Sequence, residues 1–113
     1  MAKAEFDVAA VIERFTSALK QQGLNVERVI LLGSQARGTV KEHSDIDLLV
    51  VSPDFADMPL VKRFEVLGKA LAQVRQPIDA LACTPEEVEI DKLSEASFLY
   101  DVLARQETIE YRP

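Results

Sequence analysis

The chain has 113 residues, 48% hydrophobic and 28% charged, with 19 acidic and 13 basic residues giving a formal net charge of −6. This length predicts one domain, residues 1–113, with a core of its own; no apolar run approaches a membrane span, and the first residues lack the basic-then-apolar order of a secretion signal. The positive charges are scattered singly or in pairs, so a phosphate backbone as a long-tracked substrate is disfavoured, and the single cysteine, Cys83, excludes an internal disulfide framework and fits the cytoplasm.

Residues 5–22 read as an amphipathic helix. Val8, Val11, Ile12, Phe15, Ala18 and Leu19 recur at three- and four-residue spacing, and Gly23 stands where a helix ends. Residues 26–32 form the first predicted strand, whose run Val29-Ile30-Leu31-Leu32 implies burial on both faces. Gly33-Ser34 follows directly. A single helical turn is expected over 34–37, closed by Gly38, then a polar loop over 39–44 in which His43 reads as surface.

The second strand, 45–52, opens with Asp45 and Asp47 one residue apart. Alternation sends both to one face and Ile46 and Leu48 to the other. Two carboxylates aimed at one small volume repel unless a cation lies between them, and hard oxygen ligands select Mg²⁺ or Mn²⁺. The glycine-serine turn offers backbone N–H groups to a phosphate, with Arg37 one turn on as a further contact or as a surface ion pair. The pair reads as a nucleotide-plus-metal site.

After a Pro53-Asp54 break, a second long helix is expected from 57 or 58 to about 74, with Leu60, Phe64, Leu67, Leu71 and Val74 as an apolar stripe that reads as core first, a partner surface being the alternative. A third strand covers 78–83. Thr84-Pro85-Glu86-Glu87 reads as a capping box opening a helix that fades near Leu93. Ser94 caps a further helix that packs Phe98, Leu99, Val102 and Leu103 inward. The tail Thr108-Ile109-Glu110-Tyr111 is either a short edge strand or a partner contact. The order predicts a small α/β (α+β) domain, a mixed sheet flanked by helices, with the second and third strands joined by a crossover. Cys83 reads as a small packed residue.

Leu31-Leu32-Gly33-Ser34-Gln35-Ala36-Arg37-Gly38, a short spacer, then Ser44-Asp45-Ile46-Asp47-Leu48 resembles the signature of the polymerase-β-type nucleotidyltransferases. The short chain is most similar to their minimal, MntA-like group. The resemblance implies that Gly33 and Ser34 hold the phosphates of a nucleoside triphosphate, most simply ATP. It implies that Asp45 and Asp47 bind the divalent metals and that Asp79, in Pro77-Ile78-Asp79-Ala80-Leu81, supplies the third carboxylate; the alternative for Asp79 is a simple edge position. The implied reaction is transfer of a nucleoside monophosphate, AMP by preference, to a hydroxyl. Larger relatives carry extra domains for the acceptor, and the minimal ones are commonly antitoxins that adenylylate a tyrosine of a HEPN-type ribonuclease toxin. A HEPN-type partner is therefore expected, with a homodimer or hetero-oligomer left open. The alternative function is a catalytically idle nucleotide-binding antitoxin or adaptor that acts by contact.

Overall fold

The computed structural model describes residues 8–32, 46–94, 97–105 and 108–113. The first helix, α1, spans Val8–Gln21 and buries Val11, Ile12, Phe15, Thr16, Ala18 and Leu19. Its end is a Schellman motif. The Gly23 amide donates to the Lys20 carbonyl at 2.9 Å and the Leu24 amide to the Leu19 carbonyl at 3.3 Å, with Gly23 at φ +88°. Leu24 and Leu19 then join the same core.

Strands β1 (Arg28–Leu32), β2 (Ile46–Val51), β3 (Ile78–Cys83) and β4 (Thr108–Tyr111) form one sheet in the order β3-β2-β1-β4. β1 pairs antiparallel with β2 and with β4, whereas β2 and β3 run parallel. The parallel pair requires a crossover, and helix α2 (Leu60–Val74) provides it. The mixed α+β architecture is the one expected from the element order, and the tail is an edge strand, with the Arg28 guanidinium donating to Glu110 Oε1 at 3.1 Å.

The two central strands, β1 and β2, are buried on both faces. Val29, Leu31, Ile46, Leu48 and Val50 pack with α1 and α2. Ile30, Leu32, Leu49, Val51 and Cys83 face the other way, against Val88 and against Leu99 and Leu103 of helix α3 (Phe98–Arg105). The continuous apolar runs of β1 and β2 are what a doubly covered strand demands, because alternate residues serve different cores.

Four expectations are corrected. First, α2 starts at Leu60, later than 57 or 58. Residues Pro53–Asp57 form a 3-10 helix capped by the Ser52 hydroxyl, and Met58, which precedes a proline, is extended. Second, the inward face of α2 is Val66, Leu67, Ala70 and Val74, while Leu60 and Phe64 are 64% and 56% exposed. Two apolar sectors overlap on this helix, and packing against both α1 and the sheet selects the one around Leu67 and Ala70. Third, the capping box forms, with the Glu87 amide donating to Thr84 Oγ1 at 3.1 Å and the Thr84 amide to Glu87 Oε1 at 2.9 Å. No long helix follows it. Two 3-10 turns, Glu86–Val88 and Ile90–Lys92, are separated by extended Glu89. Val88, Ile90 and Asp91 are weak helix formers, and so short a segment does not sustain a helix unaided. Likewise α3 begins at Phe98, and Ser97 Oγ accepts from the Tyr100 amide at 3.0 Å. Leu99 and Leu103 pack inward as expected; the side chains of Phe98 and Val102 lie outside the described residues.

Candidate active site

Asp47 and Asp79 are register partners on the parallel strands β2 and β3. Strand neighbours lie about 4.8 Å apart across a sheet, and register partners share a face. Ile46, Leu48, Ile78 and Ala80 pack with α1 and α2. By alternation Asp47 and Asp79 therefore project to the opposite face, the one that carries Leu49 and Cys83 further along the same strands. Asp47 is half-buried and Asp79 exposed.

The end of β1 lies level with this pair. Leu31 is the partner of Leu48, and continuing that antiparallel register by one step sets Leu32 beside Asp47. The chain therefore leaves β1 toward Gly33-Ser34 at the height of the two aspartates. Gly33, Ser34, Arg37 and Asp45 themselves lie outside the described residues, as do the expected turn at 34–37, the 39–44 loop with His43, and residues 5–7.

The donor set fits a hard divalent cation. Two carboxylates held on one face by the backbone of neighbouring strands present acceptor-only oxygens to a shared volume. Among the described residues no third histidine, cysteine or acidic side chain completes a cluster with them. In the expected site that third ligand is Asp45, two residues before Asp47 on the same strand.

The other end of the parallel pair is occupied by a different kind of chemistry. Arg63 of α2 donates to the carbonyls of Met58 and Ala82, both at 3.3 Å, and to both Glu87 oxygens at 3.0 and 3.4 Å, and it lies 5.8 Å from the Phe55 ring centroid. Burial opposes ionisation of Glu87, but hydrogen bonds from Arg63 and the Thr84 amide, with the Arg63 charge, hold its carboxyl below the ordinary value. Burial, aided by the Glu87 charge, pushes the Cys83 thiol up to about 11, which agrees with a packed rather than a reactive residue. This arrangement clamps α2 to the end of β3. It is structural.

Leu81 was not singled out from sequence. It follows Asp79 by two residues on the same face and is 40% exposed, an apolar position beside the acidic pair. The alternation Asp79-Ala80-Leu81 was the signal available, but only the pairing of β3 at the sheet edge shows that Leu81 stays open.

The chain matches the family described as a nucleotidyltransferase domain over residues 12–111. Among solved structures it is similar to a candidate nucleotidyltransferase from Sulfolobus solfataricus, with a TM-score of 0.50 and 25% identity, over 77% of this chain and 81% of that one. It is also similar to a chain of a toxin-antitoxin structure with AMP-PNP, with a TM-score of 0.48 and 22% identity, over 73% of this chain and 59% of that one. No protein of curated function matches. A family match that takes in the whole sheet, together with the mixed topology, identifies the chain as a member of the nucleotidyltransferase domain family.

Proposed function

We propose that this protein is a Mg²⁺- or Mn²⁺-dependent nucleotidyltransferase of the cytoplasm that transfers AMP from ATP to a tyrosine hydroxyl of a HEPN-type ribonuclease toxin, acting as its antitoxin. The observation that carries the chemistry is the register pairing of Asp47 with Asp79 on one face, level with the end of the strand that leads into Gly33-Ser34. In this reading Gly33 and Ser34 offer backbone and hydroxyl donors to the phosphates, and Arg37 adds a charged contact. Asp45, Asp47 and Asp79 hold the divalent ions, and Asp79, on the open edge strand, orients the attacking hydroxyl. Bound there, the ions would neutralise the triphosphate and the departing pyrophosphate, whose bond to the α-phosphorus breaks as the hydroxyl oxygen attacks, and would lower the pKa of that hydroxyl. The protein's own contribution is placement: acceptor oxygen and α-phosphorus are held in line, so most of the rate comes from positioning. The toxin acceptor rests on the resemblance to the minimal group, and the net charge of −6 favours a protein over a nucleic-acid acceptor.

The test is incubation of the protein, with whatever co-purifies, with α-labelled ATP and Mg²⁺, followed by intact-mass analysis of every chain. AMP-sized mass increments on a partner, absent with Asp47→Asn that still folds by circular dichroism, are the expected result. A tight partner complex without label would replace the enzyme with a contact-acting antitoxin.

A further inference from the structure

β3 is an edge strand, paired with β2 on one side and, among the described residues, with no strand on the other. The Pro77 carbonyl accepts from the Ile46 amide at 2.8 Å and the Cys83 carbonyl from the Ser52 amide at 3.0 Å. The odd-numbered residues of β3 therefore turn their backbone groups toward β2, and the even-numbered Ile78, Ala80 and Ala82 turn theirs outward. The Arg63 guanidinium takes the Ala82 carbonyl at 3.3 Å. Among the described residues no hydrogen bond reaches the outward groups of Ile78 and Ala80.

Proteins guard such an edge with lysine, proline or a bulge, and Ile78–Cys83 contains neither lysine nor proline. Its two exposed side chains, Asp79 and Leu81, stand on one face. The open stretch coincides with the acidic pair. Asp79 lies between the two residues with unbonded outward groups, and Asp47 is its register partner.

An occupant of this edge must bring backbone donors and acceptors in step with Ile78 and Ala80, which is the property of an extended chain. We propose that the acceptor protein is recognised as an added strand, antiparallel to β3, with its hydroxyl-bearing residue directly opposite Asp79. This rests on nucleotidyl transfer to a protein side chain, the reaction proposed above. In such a ladder the residues opposite Ile78 and Ala80 exchange both backbone bonds. The residue opposite Asp79 falls in the non-hydrogen-bonded position, where Cα atoms are about 4.5 Å apart and side chains are closest. It shares the face of the two carboxylates, and a tyrosine ring leaning inward by one strand spacing, about 4.8 Å, carries its hydroxyl over them.

The same geometry fixes the chemistry of the segment. The residue two before the tyrosine stands opposite Leu81, so an apolar side chain suits it. Further upstream the segment reaches the turns that follow β3, which carry exposed Glu86, Glu89 and Asp91. Basic residues are complementary there. The occupant is an extended segment that is basic, then apolar, then ends on the hydroxyl residue.

The probe is the acetylated, amidated octapeptide KRTLTYTV, titrated into the isotope-labelled full chain and followed by nuclear magnetic resonance. The Ile78 and Ala80 amides should shift and gain protection from exchange, with Kd below about 1 mM. N-methylation of both threonines that flank the tyrosine removes the donors facing β3 and should raise Kd at least tenfold. N-methylation of the tyrosine itself, whose N–H points away from β3, should leave Kd within about twofold. No shift up to about 1 mM overturns the inference, as does the reverse methylation pattern. Ile78 and Ala80 amides already protected in the free chain overturn it too, because a second copy then holds the edge. The same peptides with α-labelled ATP and Mg²⁺ separate docking from reaction. Label on the tyrosine that ignores the methylation pattern keeps the transfer and overturns the added strand, whereas pattern-dependent binding without label keeps the strand and overturns the transfer.

Discussion

At the scale of single residues, the parallel register that sets Asp79 beside Asp47 makes a graded pair of predictions. If Asp47 holds the divalent ion as proposed, Asp47→Asn should reduce transfer by at least about 100-fold, since the change withdraws both charge and geometry. Asp79→Asn should lower the turnover with little change in the KM for nucleotide, as expected of a residue on the acceptor side; steady-state kinetics with varied ATP separates the two. A second residue-scale prediction concerns Arg75, which ends α2 in the left-handed region at φ 63° with its amide donating to the Leu71 carbonyl at 3.2 Å. A side chain there is strained, and glycine is not, so Arg75→Gly should stabilise the protein by about 0.5–1 kcal/mol in denaturant unfolding.

At the scale of elements, the clamp of Arg63, Glu87 and the Thr84 cap replaces a missing helix. Thr84→Ala should cost about 1 kcal/mol, the usual loss for a cap, measured by urea unfolding. The clamp also carries a pH dependence. Glu87 is held below its ordinary value of 4.5, so its ion pair contributes stability above that value and loses it as the pH falls through the lower, folded-state value. The difference in melting temperature between wild type and Glu87→Gln should therefore be largest near neutrality and shrink in acid. It should be modest, because the Glu87 side chain is 44% exposed.

At the scale of the whole molecule, β4 matters because it covers the outer edge of β1. The register Val29–Tyr111, Ile30–Glu110, Leu31–Ile109 and Leu32–Thr108 pairs the buried apolar run of β1 along its length. Ending the chain before residue 108 would bare those backbone groups on a run of buried apolar residues, and the expected outcome is aggregation, seen by light scattering, rather than a smaller folded domain.

Periodicity and local chemistry were enough to mark much of this protein. The three-and-four spacing of Val11, Ile12, Phe15 and Leu19, the two-faced burial implied by Val29–Leu32, the Thr84–Glu87 cap and the bounds of β3 all follow from interactions among near neighbours, and the structure contains each of them. The alternation of Asp47 with Ile46 and Leu48 likewise assigned the acidic face from sequence. Long-range packing decided the rest. Which of two apolar sectors of α2 faces inward depends on where α1 and the sheet press against it, information absent from the helix's own pattern. The order β3-β2-β1-β4, and with it the meeting of Asp47 and Asp79 across some thirty residues of chain, is set by hydrogen bonds between strands that no local spacing encodes.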